Sequence, residues 1–168
     1  MSSKFVGNPK DRMGKMKRSV VLRFVVCLVL LSPCFAQDWA MGSCKLNEAN
    51  SKFIAGVAKP VTVVYAAAGG NIKCTKDGVD GQGKPLHTEW TGKFDGEYYP
   101  LTGDRSGDKR AYEKVNEREI LEITQKDGSV TGKNRAVVFN KGKSFSVITS
   151  QADREGEKVY NVAIYDKQ

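Results

Sequence analysis

Short β-rich segments alternate with turn dipeptides from Pro60 to the C-terminus, and this pattern constrains the fold more than any other feature of the sequence. The segments are 61–68, 72–79, 86–94, 97–101, 110–115, 119–126, 129–139, 143–150 and 159–166. A shorter β-rich stretch, 44–46, precedes them, and turn signals such as Gly69-Gly70 and Asp127-Gly128 lie between them. The sequence therefore predicts about ten strands and no long helix after Phe53.

Short strands that are joined in order by hairpin turns form an antiparallel up-and-down meander. An open meander exposes the unpaired backbone of its two outer strands, and closure into a barrel removes both edges. We therefore expect an all-β domain of eight to ten strands that closes into a barrel. A two-sheet β-sandwich is the alternative. Residues 47–53 are expected to form a helical turn or a loop across one mouth of the barrel.

Segment 86–94 shows the clearest alternation of apolar and polar residues. One face carries Leu86, Thr88, Trp90 and Phe94, and the other carries His87, Glu89 and Lys93. A period of two residues predicts a strand with one buried face and one face in water. Asp95-Gly96 follows, and because glycine tolerates a positive φ we expect a tight hairpin turn there.

Residues 1–36 have the three parts of a secretory leader: basic residues, the apolar run 24–31, and a polar end that closes on Ala36. A helix that spans a bilayer needs about 20 residues, so this run is too short for a permanent membrane anchor. We expect cleavage between Ala36 and Gln37, a single mature domain over 37–168, and a protein of the periplasm or the cell exterior. The alternative for the leader is an amphipathic core helix.

Removal of the leader changes the charge balance. The whole chain has 27 Lys and Arg against 19 acidic residues, a formal charge of +8. Residues 37–168 keep 20 cations and 18 anions, a net charge of +2. Charges of both signs alternate along this part of the chain, as in Asp108-Lys109-Arg110. A mixed surface of this kind is typical of solvated faces, so we expect no nucleic-acid partner.

Two of the four cysteines, Cys44 and Cys74, lie beyond the leader. In an oxidising compartment two thiols favour one disulfide, and the alternative is a pair of buried free thiols on neighbouring strands. A metal site made of these two cysteines and the single His87 is not expected, because their spacing is too wide for a structural zinc.

No arrangement of residues predicts catalysis. His87 lies on the polar face of its strand, so a nucleophile would have to meet it on the outer surface. Asp95 and Glu97 flank a turn, which accounts for Asp95 without a role in acid–base chemistry. The 17 glycines form no phosphate-binding loop between a strand and a helix. We therefore expect no enzyme activity and no cofactor.

Aromatic residues on the predicted strands suggest a ligand cavity instead. The candidates for the barrel interior are Tyr65, Trp90, Phe94, Tyr98 and Phe145. Together they could line a cavity for a small hydrophobic molecule, since a barrel of more than eight strands has room for a ligand. The alternative is a filled barrel that serves as a structural or protein-interaction module of the cell envelope. The sequence carries no signal for an oligomeric state.

Several motifs resemble a family of small secreted bacterial proteins that has no assigned activity and a lipocalin-like pattern. They are residues 42–47, 50–53, 77–85, 94–104 and 161–168. The resemblance covers nearly all of 37–168 and implies a lipocalin-like barrel. The family usually has Trp at the position of Cys44, where it would plug the closed end. A disulfide from Cys44 to Cys74 is one way to replace that plug.

The end of the chain is also similar to the last strand of intracellular fatty-acid-binding barrels. In those proteins an Arg two residues before the equivalent of Tyr165 helps to hold the ligand carboxylate. This chain has Ala163 at that position. The similarity therefore does not imply a carboxylate clamp of that kind here.

Overall fold

A computed structural model describes residues 40–152 and 158–168. The predicted leader and its cleavage site between Ala36 and Gln37 lie outside these residues. The strands are β1 (Gly42–Leu46), β2 (Lys59–Ala68), β3 (Asn71–Val79), β4 (Pro85–Gly92), β5 (Tyr99–Thr102), β6 (Lys109–Asn116), β7 (Glu119–Lys126), β8 (Ser129–Phe139), β9 (Ser144–Ala152) and β10 (Lys158–Lys167). Two short 3₁₀ turns, Glu48–Asn50 and Asn140–Gly142, complete the described elements. Neither is long or apolar enough to cross a membrane.

The ten strands pair antiparallel in chain order and close into a barrel. Closure comes from β1, which pairs with β2 on one side and with β10 on the other, where Cys44 lies opposite Lys167. The predicted antiparallel barrel is confirmed, and the two-sheet alternative is excluded by this closure. The expectation of a lipocalin-like barrel holds as well at the level of the fold, since the strands form an up-and-down meander that closes.

Residues that lie directly opposite each other in an antiparallel pair project to the same face of the sheet. One row of the interior runs across Tyr65, Cys74, Trp90 and Leu101. The next row runs across Cys44, Val63, Lys76 and Thr88. Alternate positions of each strand therefore fill the interior, as the pattern of segment 86–94 predicts.

Aromatic rings fill the end of the barrel that carries the β4–β5 and β6–β7 connections. The rings of Trp90 and Tyr112 meet edge to face with centroids 4.6 Å apart, and the Phe94 ring lies 5.5 Å from that of Tyr112. Such pairs stabilise a core beyond the area they bury. We call Trp90, Phe94, Tyr99 and Tyr112 the aromatic plug. It closes this end with residues of β4, β5, β6 and the segment 93–98.

The connection from β4 to β5 is not the expected tight hairpin. Strand β4 ends at Gly92 and β5 begins at Tyr99, which leaves residues 93–98 as a longer crossing segment. Asp95 forms an isolated bridge with Glu113 of β6, so the segment reaches past β5. Gly96 does have the positive φ of 83° that the turn signal predicts. The segment is long because it carries Phe94 back into the aromatic plug.

Residues 47–54 run along β10 towards the opposite end. The backbone N–H of Asn47 donates to the Ile164 carbonyl oxygen at 2.8 Å, and that of Lys52 donates to Val162 at 2.8 Å. Farther along, the Ile54 N–H donates to the Asn161 side chain at 3.2 Å. These contacts place Phe53 at the mouth of the barrel, in agreement with the loop expected there.

The structure does not contain the predicted disulfide. Cys44 and Cys74 are free thiols, both almost fully buried. Cys44 lies opposite Val63 and Cys74 lies opposite Tyr65, so strand β2 separates them. Neighbouring strands are about 4.8 Å apart, and two cysteines on either side of a strand are about 9.6 Å apart or more. A disulfide joins Cα atoms that are about 4.4–6.8 Å apart, and this arrangement exceeds that reach.

Candidate functional site

The barrel interior contains a cavity of about 570 Å³ above the aromatic plug. This volume lies within the roughly 300–1,000 Å³ that small-molecule sites occupy. Its mouth is bordered by Gly56, by the β3–β4 turn at Gly81 and by the β5–β6 loop at Arg105. The backbones of Gly56 and Gly81 are in contact. A Cβ added to Gly81 would lie only 2.0 Å from the Gly56 carbonyl oxygen, so there is no room for a side chain between them. The cavity is therefore partly roofed by its own loops.

One wall of the cavity is mainly apolar, and its strands add the polar side chains of Asn134, Thr149 and Asn161. It is formed by inward positions of β2, β8, β9 and β10, with Phe53 at the mouth, and its members include Val63, Ala136, Phe145, Val147, Ala163 and Tyr165. The rings of Phe145 and Tyr165 stack with centroids 5.0 Å apart. The Tyr165 hydroxyl donates to the Pro60 carbonyl oxygen at 2.9 Å, which removes its polar end from the wall.

The opposite wall, from β3, β6 and β7, is charged. Lys76 Nζ donates to Glu122 Oε2 at 2.6 Å, and Arg110 Nε lies 3.4 Å from Glu122 Oε1. Arg110 also donates from a terminal nitrogen to Asp104 Oδ2 at 2.9 Å. The side chains of Arg110 and Glu122 are each only 6% exposed. We call these four residues, Lys76, Asp104, Arg110 and Glu122, the charged cluster.

Uncharged polar side chains hold the charged cluster in place. Asn134 Nδ2 donates to Glu122 Oε1 at 2.8 Å, and Thr149 Oγ1 donates to Asn134 Oδ1 at 2.6 Å. On the other side, Arg110 Nε donates to Thr124 Oγ1 at 3.1 Å. A buried polar group is costly unless it is hydrogen-bonded, so this second layer makes the cluster stable inside the barrel.

The electrostatics of the cluster favour its charged form. Burial alone would raise the pKa of Glu122, but the positive charges of Arg110 and Lys76 outweigh it and hold the pKa well below the usual range. For Arg110, burial would lower the pKa, and the negative charge of Glu122 raises it instead. Both residues are therefore ionised inside the barrel across the whole physiological pH range.

The core beneath the cavity, where Tyr65 forms part of the lining, is weakly polar. The Tyr65 ring meets the Tyr112 ring edge to face at 6.2 Å, and the Tyr112 hydroxyl lies 3.6 Å from the Cys74 sulfur. Burial raises the pKa of all three groups. The thiol and both hydroxyls are therefore neutral, and they add no charge beneath the ligand space.

The predicted interior aromatics fall into three places. Tyr65 and Phe145 line the cavity. Trp90 and Phe94 face inward but belong to the core beneath it, Trp90 within the aromatic plug at 1% exposure. Tyr98 lies on the 93–98 segment and is 36% exposed, so the structure does not bring it to the cavity.

The sequence interpretation missed the charged cluster. Its signal was present in β7, where Ile120, Glu122 and Thr124 share one face. Leu121 and Ile123 occupy the other face, however, and both faces carry apolar residues. Alternation alone could not show that the face with the carboxylate is the inner one.

His87, Asp95 and Glu97, which were considered for catalysis, do not line the cavity. His87 is on the outer surface, where its Nδ1 lies 2.6 Å from Asp77 Oδ1, and this hydrogen bond raises the pKa of His87. Asp95 accepts hydrogen bonds from the Glu97 N–H and the Tyr99 hydroxyl at the plugged end. Within residues 40–152 and 158–168 no group of three or more His, Cys, Asp or Glu is placed to hold a metal ion.

Sequence comparison adds nothing to this geometry. The chain matches no protein-family model and no curated protein. Its function must therefore be inferred from the cavity, with the charged cluster on one wall and the apolar wall facing it.

Proposed function

We propose that this protein is a non-catalytic barrel that binds a small amphiphilic molecule in its interior. The observation that carries the proposal is the cavity of about 570 Å³ between an apolar wall and a charged wall. The apolar body of the ligand would pack against Phe145 and Val147, and its polar group would face Lys76 and Arg110. This refines the expectation of a purely apolar ligand, because a wholly apolar molecule would offer no acceptor to the N–H donors of Lys76 and Arg110 that remain after their bonds to Glu122, Thr124 and Asp104 are made.

Export is part of the proposal. It rests on the leader pattern of residues 1–36 and on the resemblance of 37–168 to small secreted bacterial proteins. A binding barrel in the periplasm or outside the cell would meet small amphiphiles before they reach the membrane. The competing role, a filled barrel that acts as an interaction module, has less support because the space between the two walls is open.

Binding can be tested by titration with N-phenyl-1-naphthylamine, an uncharged fluorophore that brightens in apolar surroundings. The test variant is Ala136→Trp, which places a large side chain in the cavity from the inner face of β8. Its matched control is Lys133→Trp, which places the same side chain on the outer face of the same strand. We expect saturable binding to the wild type and to Lys133→Trp and at least about a tenfold loss with Ala136→Trp.

The natural ligand can be sought by native mass spectrometry of protein purified from its own host. A retained small molecule that Ala136→Trp fails to retain would support the proposal and identify the ligand. Equal probe binding by Ala136→Trp and the wild type would place the probe outside the cavity. That result, or no saturable binding at all, would overturn the proposal in favour of an interaction module.

A further inference from the structure

The charges that line the cavity cancel. Three cations, Lys76, Arg105 and Arg110, face three carboxylates, Asp80, Asp104 and Glu122. Each cation lies within an ion-pair distance of a carboxylate in this set, and the longest of these pairs, Arg105 with Asp80, spans 3.6 Å. The cavity lining is therefore polar but carries no net charge.

Hydrogen-bond donors are in surplus on the charged wall. A lysine ammonium carries three N–H donors and a guanidinium carries five. Among the described residues, Lys76 donates to Glu122, and Arg110 donates to Thr124 and Asp104. The carboxylate oxygens of Glu122 already accept from Lys76 and Asn134, and the Asn134 carbonyl accepts from Thr149. The groups of this wall that can still form hydrogen bonds are therefore mainly N–H donors.

We propose that the ligand is an uncharged amphiphile whose polar group is a hydrogen-bond acceptor such as the carbonyl of an amide or ester, and that the cavity discriminates against the corresponding free acid. This inference rests on the proposed binding function and names its ligand class. The acceptor oxygen takes the spare N–H donors of Lys76 and Arg110, while the aliphatic body lies along the apolar wall.

A carboxylate in the same position meets a different environment. Its charge has no uncompensated cation to pair with, because Glu122 and Asp104 already neutralise Lys76 and Arg110. It must displace one of these carboxylates, take up a proton, or enter with an unpaired charge, and each course costs free energy. A cationic amphiphile is disfavoured as well, since the carboxylates are already engaged and the spare groups are donors.

The test is displacement of N-phenyl-1-naphthylamine at pH 8 by three compounds with the same chain: decanamide, decanoate and decyltrimethylammonium. We expect decanamide to displace the probe at a concentration about tenfold or more below that of either ion. Displacement by decanoate at the same concentration as decanamide, or at a lower one, would overturn the inference and leave the proposed binding function standing. Failure of the probe to bind would overturn both.

A variant with one carboxylate fewer tests whether the balance of charge in the cavity causes this discrimination. Asp104→Asn removes one carboxylate charge at the mouth of the cavity, gives the lining a net positive charge and leaves Arg110 without one of its two countercharges. We expect the affinity for decanoate relative to decanamide to rise about tenfold. The matched control is Glu97→Gln, which removes one negative charge from an exposed position at the plugged end. It should leave this ratio at the wild-type value.

Glu122→Gln is a second route to the same change in charge, and circular dichroism checks the fold of each variant. An unchanged ratio in a folded Asp104→Asn or Glu122→Gln protein would show that charge balance in the cavity does not select the ligand. An equal rise with Glu97→Gln would attribute the effect to the overall charge of the protein. Either outcome would overturn the inference.

Discussion

The indole Nε1 of Trp90 donates a buried hydrogen bond of 2.8 Å to the backbone carbonyl oxygen of Arg110. Trp90 is on β4 and Arg110 is on β6, and the short strand β5 lies between them. Strand β5 meets β4 at Leu101 and Thr102 and meets β6 at Tyr99 and Pro100. The indole therefore links β4 to β6 where the strand pairing is shortest, at the residue whose guanidinium belongs to the charged cluster.

Trp90→Phe is expected to destabilise the barrel by roughly 1–3 kcal/mol, because it leaves the Arg110 carbonyl oxygen buried without its donor. Urea unfolding followed by circular dichroism measures the free energy. Tyr98→Phe is the control, since it also alters one polar aromatic group but at an exposed position. Equal stability of Trp90→Phe and the wild type would show that the indole bond does not hold the two strands together.

Two inward glycines should respond differently to alanine. A Cβ on Gly92 would lie 2.5 Å from the Tyr99 ring and 2.7 Å from the Trp90 ring, whereas a Cβ on Gly132 would come no closer than 3.9 Å to Thr124. We expect Gly92→Ala to cost about 1–3 kcal/mol of unfolding free energy through overpacking. Gly132→Ala should be neutral or slightly stabilising. Thermal and urea unfolding of the two variants compare them, and a reversed order would contradict the packing of the plug.

Removal of the Glu122 charge should be strongly destabilising. Glu122→Gln leaves Lys76 and Arg110 buried with one fewer countercharge, which typically costs about 3–5 kcal/mol. Adding Lys76→Met removes one of the cations that would otherwise lack a countercharge. The double variant should therefore lose less stability than the sum of the losses in the two single variants. A double-mutant cycle in urea measures this coupling. Glu119→Gln, which breaks the surface pair with Arg135, is the control and should cost much less.

Stability should fall in acid because of the same carboxylate. The pKa of Glu122 in the folded protein lies well below its unfolded value of 4.5. Below pH about 4.5 the unfolded chain binds a proton that the folded protein does not, so this contribution decreases by up to about 1.4 kcal/mol per pH unit. It is fully present above pH about 5.5. Unfolding free energies between pH 3 and 7 should depend less steeply on pH in a folded Glu122→Gln protein. Equal slopes would contradict the ion pairing.

Cys44 and Cys74 should behave as inert free thiols. Both are buried, and burial, the largest cause, raises the pKa of each thiol. Iodoacetamide should label neither in the native protein and both in denaturant without reductant, as peptide mapping by mass spectrometry can show. Labelling in denaturant that requires a reductant would establish a disulfide and contradict the separation of the two cysteines by β2.

Local sequence determined the strands and most of the turns. The predicted strands 119–126 and 129–139 have the same bounds as β7 and β8. Between them Asp127 and Gly128 both adopt positive φ, as a two-residue hairpin turn requires. The 93–98 connection departed from its turn signal because Phe94 packs into the plug, and a dipeptide carries no information about such a distant contact.

The tertiary structure alone decided what the interior contains. Alternation defines two faces on each strand, but only closure of the sheet makes one of them the inside, and closure depends on the pairing of β1 with β10. The same closure joins Lys76 to Glu122, 46 positions apart in the chain. The pairing of β2 with both β1 and β3 separates the two cysteines for which an oxidising compartment suggested a disulfide. Strand pairing is a long-range interaction, so the residues that face one another across the cavity leave no local pattern in the sequence.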